Sequence, residues 1–119
     1  MKPPAIALHQ VTELLLVYRA LVPPDYEDEN GHMNMRYYLA IYDEAGYPLF
    51  RDFGLDAAYH QAHNTGGFDL EHHIHYLNEV GIGDEVAVYA RLVNRTPKRL
   101  HYMLFMVNVT RDKLASIYE

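Results

Sequence analysis

The sequence predicts an α+β protein: one antiparallel sheet of about five strands with a single long helix laid across it. Three observations lead there. Apolar residues fall at helical spacing through Tyr38, Ile41, Tyr42, Ala45, Leu49 and Phe53. Period-two alternation marks the segments after it, at 68–78, 86–92 and 100–106. The joints between those segments are too short for a crossover, so neighbouring strands run antiparallel.

Taken in order, residues 1–10 carry Pro3 and Pro4 and are expected to be loose. Thr12 to Val22 reads as a strand, ended by Pro23-Pro24, which cannot donate to a sheet ladder. Asp25 to Gly31 (DYEDENG) is acidic and Gly-terminated, a loop. Asn34 stands where a helix N-cap belongs, and the helix is expected over 35–53 with Gly54 as its stop. Pro48 should kink it or break its last turn. Residues 55–67 read as an irregular excursion ending in Gly66-Gly67. Strands are expected at Phe68–Asn78, Val86–Leu92, Leu100–Met106 and from Lys113 to Tyr118, with turns at Gly81–Asp84 and Thr96–Lys98.

One domain is expected, because 119 residues match the usual domain size. There is no cysteine, which excludes a disulfide scaffold, a zinc–thiolate centre and a thiol nucleophile. Ten basic against sixteen acidic side chains give a net charge of -6, which argues against a nucleic-acid partner. No apolar run approaches the ~20 residues of a membrane span, and the start lacks a signal h-region, so no membrane partner and a cytoplasmic location are expected. Eleven tyrosines stand against four phenylalanines and no tryptophan, a composition suited to pockets and interfaces.

The chemistry-bearing segment is Asp28-Glu29-Asn30-Gly31-His32-Met33-Asn34. It places a carboxylate, an imidazole and a carboxamide on a turn that enters a helix N-terminus. Such an end presents unpaired N–H groups and a positive dipole end, suited to an oxyanion. A carboxylate beside an oxyanion site is what acyl hydrolysis requires, whereas a plain helix cap with a solvated acidic loop would use the same residues.

Asp-x-x-Gly-His-x-Asn before an aromatic-rich helix, followed by four antiparallel strands and a Gly-x-Gly-Asp-Glu-Val turn, resembles the hotdog-fold acyl-CoA thioesterases of the 4-hydroxybenzoyl-CoA thioesterase type. The resemblance runs from Leu14 to Tyr118. More narrowly, residues 26–34, Leu70-Glu71-His72-His73-Ile74 and Lys98-Arg99-Leu100-His101 look like the branch that includes betainyl-CoA thioesterases. The resemblance implies a hotdog fold and hydrolysis of a small acyl-CoA to acid and CoA. No metal or redox cofactor is implied, CoA being part of the substrate. The active site is implied to lie at the interface of a homodimer, paired further in a homotetramer. Position by position, Asp28 matches the catalytic carboxylate, the Met35 N–H the oxyanion donor, and His32 and Asn34 the motif's His and Asn. Tyr26 departs from a frequent first aspartate. Related chains usually continue their last strand and a short tail past the position of Glu119. A non-catalytic acyl-CoA-binding or oligomerisation module, and a hotdog dehydratase using His32, are the alternatives.

Three further clusters bear on that reading. Glu71, His73 and His75 share one face of a strand, and His at i, i+2 can share a metal. Gly67, His73, His75 and Glu79 match part of a cupin signature, which fails at Val86. Glu71 and His73 are carried as candidate catalytic residues, and no metal is expected. Arg91, Arg95, Lys98 and Arg99 crowd one hairpin, and Arg95, Lys98 and Arg99 are the candidates for CoA phosphates. On the helix, Tyr38, Tyr42 and Asp43 are candidate walls of the acyl pocket, suited to a quaternary ammonium.

Overall fold

A computed structural model describes residues 2–119. The chain folds in the order α1 (Leu8–Val11), β1 (Leu15–Leu21), a 3-10 turn at Pro24–Tyr26, α2 (Met35–Asp52), α3 (Ala57–His63), β2 (Ile74–Tyr76), β3 (Glu85–Arg95), β4 (Leu100–Asn108) and β5 (Lys113–Tyr118). The five strands form one sheet in the order β1-β3-β4-β5-β2. Every neighbouring pair is antiparallel.

The central helix arises as its pattern predicts. Tyr38, Ile41, Tyr42, Ala45 and Leu49 are its buried residues, and they pack with Val86, Val88, Leu104 and Met106 of the sheet. Pro48 neither ends nor breaks it, because the flanking Ala45 and Leu49 are held in the core and packing offsets one missing backbone bond. The helix stops at a Schellman arrangement: Gly54 N–H donates to Arg51 O at 2.9 Å and Leu55 N–H to Phe50 O at 2.8 Å. Gly54 makes that stop possible with φ of +78°.

Several expectations are corrected. Residues 8–11 are not loose. Val11 of α1 is fully buried against Met103, Phe105, Val107 and Ile117, on the sheet face away from α2. β4 therefore carries an unbroken buried run, Met103 to Asn108, because both its faces are covered. β1 begins at Leu15, later than Thr12, after the turn that follows α1. Residues 57–63 form a two-turn helix capped by Asp56, whose side chain accepts from Tyr59 N–H at 2.9 Å. It buries none of its residues, so no apolar period announced it. The strand expected over 68–78 shrinks to Ile74–Tyr76. Among the described residues it pairs with β5 alone, through Ile74 to Tyr76, and Phe68 and Leu70 lie outside that ladder, 88% and 67% exposed. β3 and β4 run longer than alternation suggested, to Arg95 and Asn108.

Gly54→Ala should cost about 1–2 kcal/mol, since a Cβ at positive φ meets no other atom and the strain is purely backbone. Gly66→Ala, at ordinary φ with equally open surroundings, should be within about 0.5 kcal/mol of wild type. Urea unfolding of the two variants measures the difference, and equal midpoints would refute the account.

Candidate active site

The Asp28 segment folds back on itself before entering α2. Asp28 N–H donates to His32 O at 2.7 Å and Gly31 N–H to Asp28 O at 3.3 Å, with Gly31 at φ of +78° making the reversal. Asp28 Oδ1 accepts from the backbone N–H of Asn30 at 2.8 Å and of His32 at 3.0 Å. Those donors, His32 first, hold the Asp28 carboxyl below the usual carboxylate range. Oδ2 makes no protein hydrogen bond among the described residues, so an ionised oxygen stays free.

Asn34 governs what α2 offers. Its extended backbone begins the helix, its Oδ1 accepts from Arg36 N–H at 3.1 Å, and its own carbonyl takes Tyr37 N–H at 2.9 Å. Its N–H donates back to Tyr26 O at 2.8 Å. The cap thus satisfies Arg36 and Tyr37, while the Met35 N–H has no acceptor among the described residues. Tyr26 and Tyr37 stack at 3.9 Å with Arg36 over the Tyr37 ring, which braces the loop against the helix.

Behind the loop, Met33 N–H donates to Val80 O at 2.7 Å, and His32 pairs with Gly81. That strip is fixed by Asp84, whose Oδ2 accepts from Gly81 N–H at 2.8 Å, Asn108 Nδ2 at 2.8 Å and Arg111 Nε at 3.0 Å. Burial pushes the Asp84 carboxyl up, but the donors from Asn108, Gly81 and Arg111 outweigh it and hold it below the usual range. His32 Nε2 lies 3.1 Å from Glu79 Oε2.

Two open cavities flank this head of α2. One, about 560 Å3, is lined by Glu27, Asp28, Glu29, Asn30 and Asn34. The other, about 480 Å3, is lined by Tyr38, Tyr76, Leu77, Asn78, Glu79, Arg111 and Lys113. The fold therefore brings Asp28, His32, Asn34 and the Met35 N–H together, with Tyr38 close by: its hydroxyl donates to Asn78 O at 3.3 Å and its ring meets Tyr76 edge-on.

The other candidates lie elsewhere. Tyr42 is buried against Tyr118 and lines neither cavity, and burial pushes its hydroxyl far up. Asp43 is exposed on α2 outside both cavities. Glu71 and His73 sit on the exposed segment before β2, where the His73 backbone pairs with Glu119 and neither side chain joins the Asp28 loop. Arg95, Lys98 and Arg99 are at the far end of the β3–β4 hairpin. The eleven residues of β3 put that tip about 30 Å from the Asp84 turn. Among the described residues no group of three or more His, Asp or Glu could hold a metal, and no helix is long and apolar enough to cross a membrane. Tyr76, Asp84 and Arg111 went unrecognised as site residues, and Glu79 entered only through the partial cupin signature. The Gly-x-Gly-Asp turn signalled Asp84.

A helix-wrapping antiparallel sheet with an acidic turn at the helix head defines a hotdog-fold protein. The thioesterase-like superfamily model matches residues 22–119, and the chain belongs to that family. It is 34% identical over 91 residues to the betainyl-CoA thioesterase of Pseudomonas aeruginosa, covering 76% of this chain and 57% of that one. It is 31% identical over 118 residues to an L-carnitine dehydrogenase/betainyl-CoA thioesterase of Ruegeria pomeroyi, covering 98% of this chain and 23% of that one. The chain thus spans little more than half the length of the first relative and a smaller share of the second. Among solved structures, a Staphylococcus aureus protein in complex with CoA superposes with a TM-score of 0.81 at 26% identity, covering 88% of this chain and 66% of that one. A candidate thioesterase from Pseudomonas putida gives 0.76 at 34%, covering 88% and 68%.

Asp84→Ala should lower stability at pH 7 by about 1–3 kcal/mol for each buried donor left unpaired. A carboxyl depressed in the folded state contributes fully above its unfolded value near pH 4 and loses that contribution as pH falls through the folded value. The gap between wild type and Asp84→Ala should therefore narrow below about pH 4. Urea unfolding at pH 7 and pH 3 measures it, and a constant gap would contradict the sign.

Proposed function

We propose that the chain hydrolyses the thioester of a small acyl-CoA. The observation that carries this reading is the free oxygen of Asp28 next to a helix head whose Met35 N–H is unpaired. The thioester carbonyl oxygen accepts from the Met35 N–H, and the positive end of α2 stabilises the charge that develops there. Asp28, ionised throughout the neutral range, either takes a proton from the attacking water or attacks the carbonyl carbon itself. In the first route water oxygen bonds to carbon, the C–S bond breaks, and the proton held by Asp28 passes to the departing thiolate. In the second, an Asp28 oxygen bonds to the carbonyl carbon as the C–S bond breaks and the thiolate leaves to take a proton from solvent; water then adds to the Asp28 carbonyl of the anhydride and frees the acid, so heavy oxygen from the solvent enters Asp28 and separates the routes. His32 and Asn34 shape the loop, and Glu79 orients the His32 ring. Glu71 and His73 enter the reading only if a second chain brings them to the loop.

The carboxylates of Glu27 and Glu29 around the first cavity favour a neutral or cationic acyl group over an anionic one. The names of the Pseudomonas and Ruegeria relatives make betainyl-CoA the first substrate to assay. No metal or redox cofactor takes part. The chain works in the cytoplasm as a homodimer or homotetramer with the site at the interface. Support for assembly comes from the short strand β2 at one edge of the sheet, which a second copy would cover.

Free-thiol release from a panel of CoA thioesters tests the reaction. Asp28→Asn should lose at least about a hundredfold in kcat/KM with its circular dichroism unchanged. Met35→Pro is the sharper probe. Proline is tolerated at the first helical position, Asn34 before it is already extended at ψ 142°, and what is removed is the N–H together with a side chain that is 70% exposed. It should cost about 10²–10³ in kcat, and full activity would overturn the oxyanion assignment.

A further inference from the structure

The second cavity is bounded by two cations, Arg111 and Lys113, across from Tyr38, Tyr76 and Glu79. Arg111 is held from below. Its Nε donates to Asp84 at 3.0 Å and its backbone N–H to Asn108 Oδ1 at 3.1 Å. The guanidinium lies over Gly81, where an added Cβ would come within 3.0 Å of Nη2. Yet the side chain is 55% exposed, and among the described residues Asp84 is its only carboxylate partner. Its terminal nitrogens are therefore donors in a fixed orientation with nothing to donate to. Lys113 begins β5 two residues on, exposed and without an ion-pair partner among the described residues. The carboxylate on the same wall, Glu79, is engaged with His32 at 3.1 Å. In a chain of net charge -6, this leaves Lys113 without an ion-pair partner and Arg111 with free terminal nitrogens on one wall beside the candidate site.

A pre-oriented guanidinium with a flexible ammonium next to it suits a multiply charged phosphate group. We infer that Arg111 and Lys113 bind the phosphates of the CoA portion of the substrate, with the arm between phosphate and thioester crossing the Tyr38–Tyr76 wall. This rests on the acyl-CoA reading and replaces the hairpin of Arg95, Lys98 and Arg99, which stands about 30 Å away in the same chain. Gly81, under the guanidinium, is paired with His32 of the loop, so the cations sit within reach of the α2 head.

Binding of free CoA and of 3′,5′-ADP, which keeps the 3′-phosphate and the first 5′-phosphate without the second phosphate or the thiol arm, tests this by titration calorimetry on the full chain. Lys113→Gln and Arg111→Gln should each weaken both probes about tenfold and flatten the salt dependence of binding. Combined Gln substitution of Arg95, Lys98 and Arg99 should leave both affinities within about twofold of wild type. Arg111→Gln can loosen the Asp84 turn, whereas Lys113→Gln alters only an exposed strand start, so the second variant decides if the first unfolds. Unchanged affinity in Lys113→Gln, loss in the hairpin variant, or a wild type that binds neither probe would each overturn the inference. Thiol release by wild type and its loss in Asp28→Asn are read separately, so the hydrolase reading stands or falls on its own.

Discussion

A single carboxylate oxygen ties the structure together. Asp84 Oδ2 collects donors from the turn before β3, from the end of β4 and from the β4–β5 connection. Its own backbone carbonyl accepts from Val22 N–H at 2.9 Å, which locks the end of β1 to the same point. A buried carboxylate is costly without partners, so this one is stable only with all its donors in place. The consequence reaches the candidate site in one step. Gly81 and Val80, fixed by Asp84, are the backbone against which His32 and Met33 pair. The loop that carries Asp28 is thus an added rung on a rigid support rather than a free excursion.

That rigidity explains how a surface loop can hold a defined geometry. Backbone donors clamp one oxygen of Asp28 and leave the other unbound, while the Asn34 cap satisfies the second and third helical N–H groups and leaves the first. Both leftovers arise from ordinary local chemistry, an Asx-type turn and an N-cap. Their combination at one point is what distinguishes this helix from any other capped helix. α3 is also capped by an aspartate, yet it has no neighbouring carboxylate turn and buries none of its residues.

Much of this was legible from residues. The helix over 35–52, its Asn34 cap and Gly54 stop followed from spacing and cap chemistry, and the hotdog fold from the resemblance. Other features were hidden for physical reasons. Phe68 to His73 alternates as a strand should, but alternation cannot say whether a partner strand lies beside it, and the ladder with β5 takes in only Ile74 to Tyr76. Leu8 to Gln10 read as part of a loose arm because a four-residue helix has no period to read. Tyr42 and Tyr38 share the apolar stripe of α2, and spacing cannot tell a stripe residue in the core from one at a cavity wall. The hairpin cations were conspicuous by clustering, whereas Arg111 and Lys113 became visible only when folding set them beside Glu79 and Tyr38.

The orphaned hydroxyls in the core sharpen the division between wall and core. Among the described residues, Tyr42 OH and Ser116 Oγ are both buried and neither makes a hydrogen bond of ordinary length. A buried hydroxyl without a close partner is costly. Tyr42 nonetheless keeps its place, because its ring fills the space between α2 and Tyr118 at a centroid distance of 5.1 Å. Tyr38, one helical turn nearer the α2 head, finds a carbonyl for its hydroxyl at Asn78 and keeps its edge toward Tyr76. The two tyrosines therefore divide the work of the stripe. Tyr42 secures the helix to the sheet, and Tyr38 carries that fixed position outward to the cavity where a ligand can meet it.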